Sequence, residues 1–182
     1  MNDADSLPNS GRTGLMPLRV QLEQQLLALY ASRAAMPTSL QVSESSGITL
    51  RLELSQVDSM SCAFSELVLY VPHLQNATFD VVKQWAADLS QRITYLLEKI
   101  GPLEFDPNNR QVLIRSTPPQ AAAHGTRYYE IVLSSAGQGS FILKRFESIG
   151  GQPGRNPVDL QLTNEVLFKL VDDLVATIPS VP

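Results

Sequence analysis

The sequence predicts an α+β fold: a single, mostly antiparallel sheet of five to six strands with about three helices packed on it. Three observations carry this expectation. Leu, Val and Ile recur at spacings of three and four in three long stretches, which marks helices with one apolar stripe. Strictly alternating or short apolar runs, bounded by Gly, Pro and Asn, mark strands. The 182 residues are 43% apolar and 18% charged, which suits one domain with a substantial core.

The elements follow in order. Residues 1–14 combine Asn, Asp, Ser, Gly and Pro without periodicity and read as a disordered tail, ahead of a single domain over 15–179. The first helix has Pro17 in its opening turn, where a missing N–H costs nothing. Leu15, Leu18, Leu22, Leu26, Leu29 and Tyr30 form its stripe, and Pro37 stops it. Residues 48–54, ITLRLEL, alternate cleanly and predict a half-buried strand. Residues 62–71 predict its hairpin partner, with Glu66 on the solvent face beside Phe64, Val68 and Tyr70.

The second helix spans 78–100, with Thr78 as N-cap, Asp80 in the first turn, and a stripe of Val82, Trp85, Leu89, Ile93, Leu96 and Ile100. Asp106-Pro107-Asn108-Asn109 has turn chemistry and predicts a hairpin of 103–106 with 111–116. A second hairpin, 127–134 with 140–148, closes around Ala136-Gly137-Gln138-Gly139. The segment 149–161, with three Gly and two Pro, reads as an irregular connector. The last helix begins at Thr163 and turns Val166, Leu167, Leu170, Val171, Leu174, Val175 and Ile178 inward, leaving Lys169, Asp172, Asp173 and Thr177 outward.

The resulting order, α-β-β-α-β-β-β-β-α, loosely resembles the secretion-chaperone-like folds at the level of element order only. Those folds place three strands before the middle helix where this sequence shows two, and no residue motif carries the likeness. A hairpin followed by a helix also occurs twice, near 48–100 and near 127–178, with scarcely matching strings.

Chemistry-bearing residues are sparse. The candidate bases are two histidines: His73 at a strand end and His124 in a loop, for both of which an exposed surface position is the commoner reading. The single cysteine, Cys62, excludes an internal disulfide and has no cationic neighbour in sequence, so it reads as a small buried hydrophobe. No H-E-x-x-H, paired-Cys or G-x-S-x-G spacing is present, and Asp172 and Asp173 diverge by about 100° on a helix. Glu104 and Asp106 read as surface charges at a hairpin tip. Neither a metal nor a cofactor is expected. GGQPGRNP lacks the Lys-Ser/Thr of a phosphate loop, leaving Arg155 as a weak anion-binding candidate.

Charge is unevenly distributed. Net charge is −4, but residues 110–155 hold 6 basic and 2 acidic side chains. The acidic total argues against nonspecific binding to nucleic acid or anionic membrane, while the basic segment offers a local site. No apolar run approaches the roughly 18–20 residues that span a bilayer, and the polar, acidic N-terminus does not match a secretory signal, so the expected compartment is the cytoplasm.

The expectation is therefore a non-enzymatic cytoplasmic domain, adaptor- or chaperone-like, whose partner is a protein, either itself or another. The alternative is a module for an anionic ligand or single-stranded nucleic acid. It would use Arg115, Arg127, Lys144, Arg145 and Arg155, interleaved with Tyr128, Tyr129, Phe141 and Phe146.

Overall fold

A computed structural model describes residues 16–96 and 99–180. The predicted tail lies outside these residues. Among them run α1 (Leu18–Ser32), β1 (Thr38–Ser43), β2 (Thr49–Val57), β3 (Ser61–Tyr70), a 3-10 turn at Pro72–Leu74, and α2 (Phe79–Arg92). Then come β4 (Ile100–Asp106), β5 (Gln111–Ser116), β6 (Gln120–Ala122), β7 (Gly125–Ser134), β8 (Ser140–Ile149), β9 (Asn156–Val158), β10 (Leu160–Thr163) and α3 (Asn164–Thr177). The α+β class and the three helices stand. The sheet, however, has ten strands rather than five to six, all paired antiparallel, and with three strands before α2 and seven between α2 and α3 the expected element order fails and the loose secretion-chaperone-like likeness is not supported.

The main path across the sheet is β1-β2-β3-β8-β7-β5-β4. α1 packs on β1 and β2, α2 on β4, β5 and β7, and α3 bridges the other two helices, so all three cover one face. The core lies in that interface. Leu18, Leu22 and Leu26 of α1, Trp85 and Leu89 of α2, and Leu167, Leu170 and Leu174 of α3 are buried against Leu50, Leu52, Leu69, Ile114, Ile131 and Leu143 of the sheet. The seven-residue alternation at 48–54 is realised as expected: Leu50, Leu52 and Leu54 are buried and Arg51 and Glu53 half-buried.

The four missed strands have physical reasons. β1 carries only two inward apolar residues, Leu40 and Val42, because it is an edge strand. β10 alternates Leu160 and Leu162 inward, but the Gly/Pro-rich connector masks it. β6 and β9 are three residues each, too short for a period.

β9 and β10 also open the centre of the sheet. β3 pairs with β8 only over Leu67–Tyr70. Beyond that point β10 takes up β3 at Ser61–Phe64, and β9 takes up β8 at Arg145–Glu147. The two hairpins of the internal echo thus meet at β3–β8, but β9 and β10 have no counterpart after β3.

Three further expectations are corrected. Phe64 does not share a face with Glu66, because the β2–β3 register skips Ser65 and this bulge turns Phe64 into the core. α2 ends at Arg92, not near 100, although Ile93 and Leu96 stay buried as the chain turns toward β4. Asp173 and Thr177 face inward, and Asp173 is only 4% exposed. Thr78 stands at the N-cap of α2 without a side-chain cap, whereas Thr163 caps α3 by accepting from the Val166 N–H at 3.3 Å.

Candidate functional site

The period-two geometry of β7 and β8 divides the five basic candidates between two faces. Arg115 opposes Glu130, and Glu130 opposes Lys144, all on the face without helices. Tyr128 and Phe146 lie one step further along it, with ring centroids 6.1 Å apart. Arg127 and Arg145 share the opposite face with Tyr129.

The charges are largely paired within the sheet. Arg115 and Arg155 both donate to the buried carboxylate of Glu130, the former at 3.1 Å. Lys144 lies 2.7 Å from Glu66, which also receives Arg51 at 3.3 Å. Arg127 donates to Glu147 at 2.9 Å, and Arg145 donates to Gln120 while standing over the Tyr129 ring. The guanidinium of Arg155 lies 4.1 Å from the Phe146 centroid and that of Arg115 4.7 Å from the Tyr128 centroid. The outer aromatics are thus stacked against the chain's own cations. The positive charge read from the sequence is real, but long-range pairing brings carboxylates to it.

The other candidates are dispersed. His73 and His124 are exposed, and His73 lies 3.3 Å from the Pro179 carbonyl. Cys62 is buried, and desolvation, aided by the negative charge of Asp58, pushes its thiol up to about 12. Among the described residues no cluster of three or more His, Cys, Asp or Glu is placed to hold a metal. None of their helices is long and apolar enough to cross a membrane.

The first helix, apolar enough from its sequence to meet a partner, exposes a surface that its stripe does not define, and Tyr30, expected on that stripe, is not buried with it. Its stripe of Leu18, Leu22 and Leu26 is buried, yet the next positions round the helix are apolar too: Leu27 is 65% and Tyr30 46% exposed. They line a hollow with half-buried Phe168 of α3 and with Asp58 and Ser59 of the β2–β3 turn, where Met60 is 73% exposed. The turn is held by Asp58, whose carboxylate accepts from the Met60 and Ser61 N–H groups and the Ser61 hydroxyl, all at 2.7 Å. The Asn164 N–H donates to the Met60 carbonyl at 2.8 Å and joins the turn to α3.

These elements form a hollow of about 140 Å³ lined by the apolar Leu26, Leu27, Tyr30 and Phe168 and the polar Glu23, Asp58, Ser59 and Asn164. On the other side of Tyr30 a more open hollow of about 410 Å³ runs past Leu29, Met36 and Val57, with Arg33 at its edge. The smaller one is below the roughly 300–1,000 Å³ of typical small-molecule sites and suits a single apolar side chain. The sequence carries half of this signal: Leu27 lies off the stripe that one buried face requires, whereas Tyr30, four positions after Leu26, fits that stripe and is exposed all the same.

Comparison of the chain with protein-family models, with curated proteins and with solved structures finds no match.

Proposed function

We propose that this chain is a non-catalytic protein-binding domain that docks its partner on the α1 surface around Leu27 and Tyr30. The observation that carries this reading is the exposed apolar pair Leu27 and Tyr30, which with Phe168 lines a hollow the size of one side chain. Binding energy at protein interfaces concentrates in a few aromatic or aliphatic anchors seated in such hollows. The apolar faces of α2 and α3, which the sequence offers equally, are spent on the core. β4 also exposes Leu103 and Phe105, but Pro102, Glu104 and a bulge blunt that edge against strand pairing.

The test is site-specific photo-crosslinking in cells that make the protein. A crosslinker at position 27 is expected to trap one polypeptide, identified by mass, that is not trapped from exposed Asn108 at the β4–β5 turn of the opposite sheet edge and is lost in Tyr30→Asp. No product specific to position 27 would overturn the reading. Folding provides the control. Leu27→Asp should change stability by no more than about 0.5 kcal/mol, whereas Leu26→Ala, one residue away and buried, should cost about 2–5 kcal/mol.

A second reading has its own observation. Arg115 and Arg155 converge on one carboxylate over the Tyr128–Phe146 pair, leaving one net positive charge on an aromatic surface of the open sheet face. For an anionic or single-stranded nucleic-acid ligand, binding of labelled oligothymidine should fall as salt rises and weaken in Arg155→Ala. No binding at low salt would remove it.

A further inference from the structure

Resting on the α1 docking reading, the geometry points to a partner segment of definite chemistry: an amphipathic helix whose apolar anchor is flanked by Lys or Arg. Half of the hollow's lining is apolar, and the charged groups in it, Glu23 of α1 and Asp58 of the β2–β3 turn, are both carboxylates. Asp58 stays ionised, because the Ser61 hydroxyl and the Met60 and Ser61 N–H groups hold its carboxyl below the usual range. Asn164 and Ser59 complete the lining without adding positive charge. Arg19, one turn before Glu23 on α1, is committed elsewhere: it stands over Phe168, 6.0 Å from its centroid, and pairs with Asp172 at 3.6 Å.

An apolar seat between two carboxylates favours an occupant that brings an aliphatic anchor and cations one helical turn away. It disfavours a second copy, since two such hollows facing each other across a twofold would set Glu23 and Asp58 against their equivalents. Tyr30 lines both hollows, so the exposed surface extends along α1, which suits an elongated helical occupant rather than a small ligand. Arg33 at the edge of the second hollow sets a direction, because the basic end of the occupant belongs at the Glu23–Asp58 end.

The experiment uses the full chain and two labelled peptides of about 14 residues with the same leucine spacing, one built from Leu and Lys, the other from Leu and Glu. Fluorescence anisotropy is read against salt. The Leu–Lys peptide is expected to bind, to lose about tenfold or more of its affinity in Leu27→Asp, and to lose roughly three- to fivefold in Glu23→Lys. The Leu–Glu peptide is expected to bind at least about tenfold more weakly than the Leu–Lys peptide.

If both peptides bind equally and both require Leu27, docking on α1 stands and the basic occupant falls. If Leu–Lys binding is indifferent to Leu27→Asp, the peptide is held by the acidic surface at large and both readings fall. If neither peptide binds, the basic occupant is overturned and the crosslinking experiment alone decides the docking surface. A doubled mass in light scattering that reverts in Leu27→Asp would identify a second copy as the occupant and likewise overturn the proposal.

Discussion

Gly139 shows how much one residue can depend on a distant element. Its φ is +68°, a left-handed value, and a Cβ added there would lie 2.5 Å from the Val71 carbonyl oxygen. The Val71 N–H in turn donates to the Gly139 carbonyl at 3.0 Å, so hairpin tip and strand end are locked backbone to backbone. Gly137, two residues away, has φ +66° but open space around it. Both alanine variants carry the left-handed penalty, and only Gly139→Ala adds a collision with backbone. Chemical denaturation should give about 1 kcal/mol for Gly137→Ala and about 3 kcal/mol for Gly139→Ala. Equal losses would mean that the hairpin tip moves away from Val71 without cost. The turn itself was legible in Ala136-Gly137-Gln138-Gly139, because glycine chemistry is local. Which glycine is indispensable was not, because the obstacle comes from a residue 68 positions earlier in the chain.

At the scale of elements, the same division between local and long-range information separates what the sequence revealed from what it hid. Helix stripes and the alternation at 48–54 were legible because each needs only one buried face. The end of α2 was not, since Ile93 and Leu96 remain buried after the helix stops. Nor was the role of Asp173, which a solvent-facing stripe position disguised. It accepts from Arg92 at 2.7 Å, from Lys169 at 2.8 Å and from the Tyr95 hydroxyl at 2.8 Å, clasping α2, the chain after it, and α3. Burial pushes the Asp173 carboxyl up, but the hydrogen bonds from Arg92, Lys169 and Tyr95 outweigh it and hold the group below the usual carboxylate range. A folded pKa below the unfolded one contributes stability above the unfolded pKa, and that contribution is lost as pH falls through the folded value. Asp173→Asn should therefore cost about 2 kcal/mol near pH 7, a figure discounted for the half-exposed Arg92 and Lys169. Against wild type, the difference should shrink below about pH 4. A gap that stays constant down to pH 2 would show that the carboxylate's charge does not hold the clasp.

The whole molecule is a seven-strand path covered on one face, so its two ends, β1 and β4, are where it meets other chains or avoids them. β4 is blunted by Pro102, Glu104 and a bulge, whereas β1 has neither charge nor proline within Thr38–Ser43. The Glu44 N–H donates to the Ile48 carbonyl, and the antiparallel register carries that phase to Val42–Leu50 and Leu40–Leu52. Ser39 and Gln41 therefore direct their N–H groups to the free edge, while the Ser43 carbonyl is covered by the Gln21 side chain at 2.9 Å. Hydrogen exchange should then show an alternation along β1, with Ser39 and Gln41 fast and Leu40 and Val42 slow. The slowest amides should be in β7 and β8, around Ile131 and Leu143, where both strands have neighbours on each side and the helices above. If Ser39 and Gln41 prove as protected as Leu40, a strand from another molecule lies on that edge. The sheet would then continue across two chains, and the partner surface argued for α1 would share the molecule with a second interface. Fast exchange at Ser39 and Gln41 leaves the Leu27–Tyr30 surface as the one proposed here for a partner.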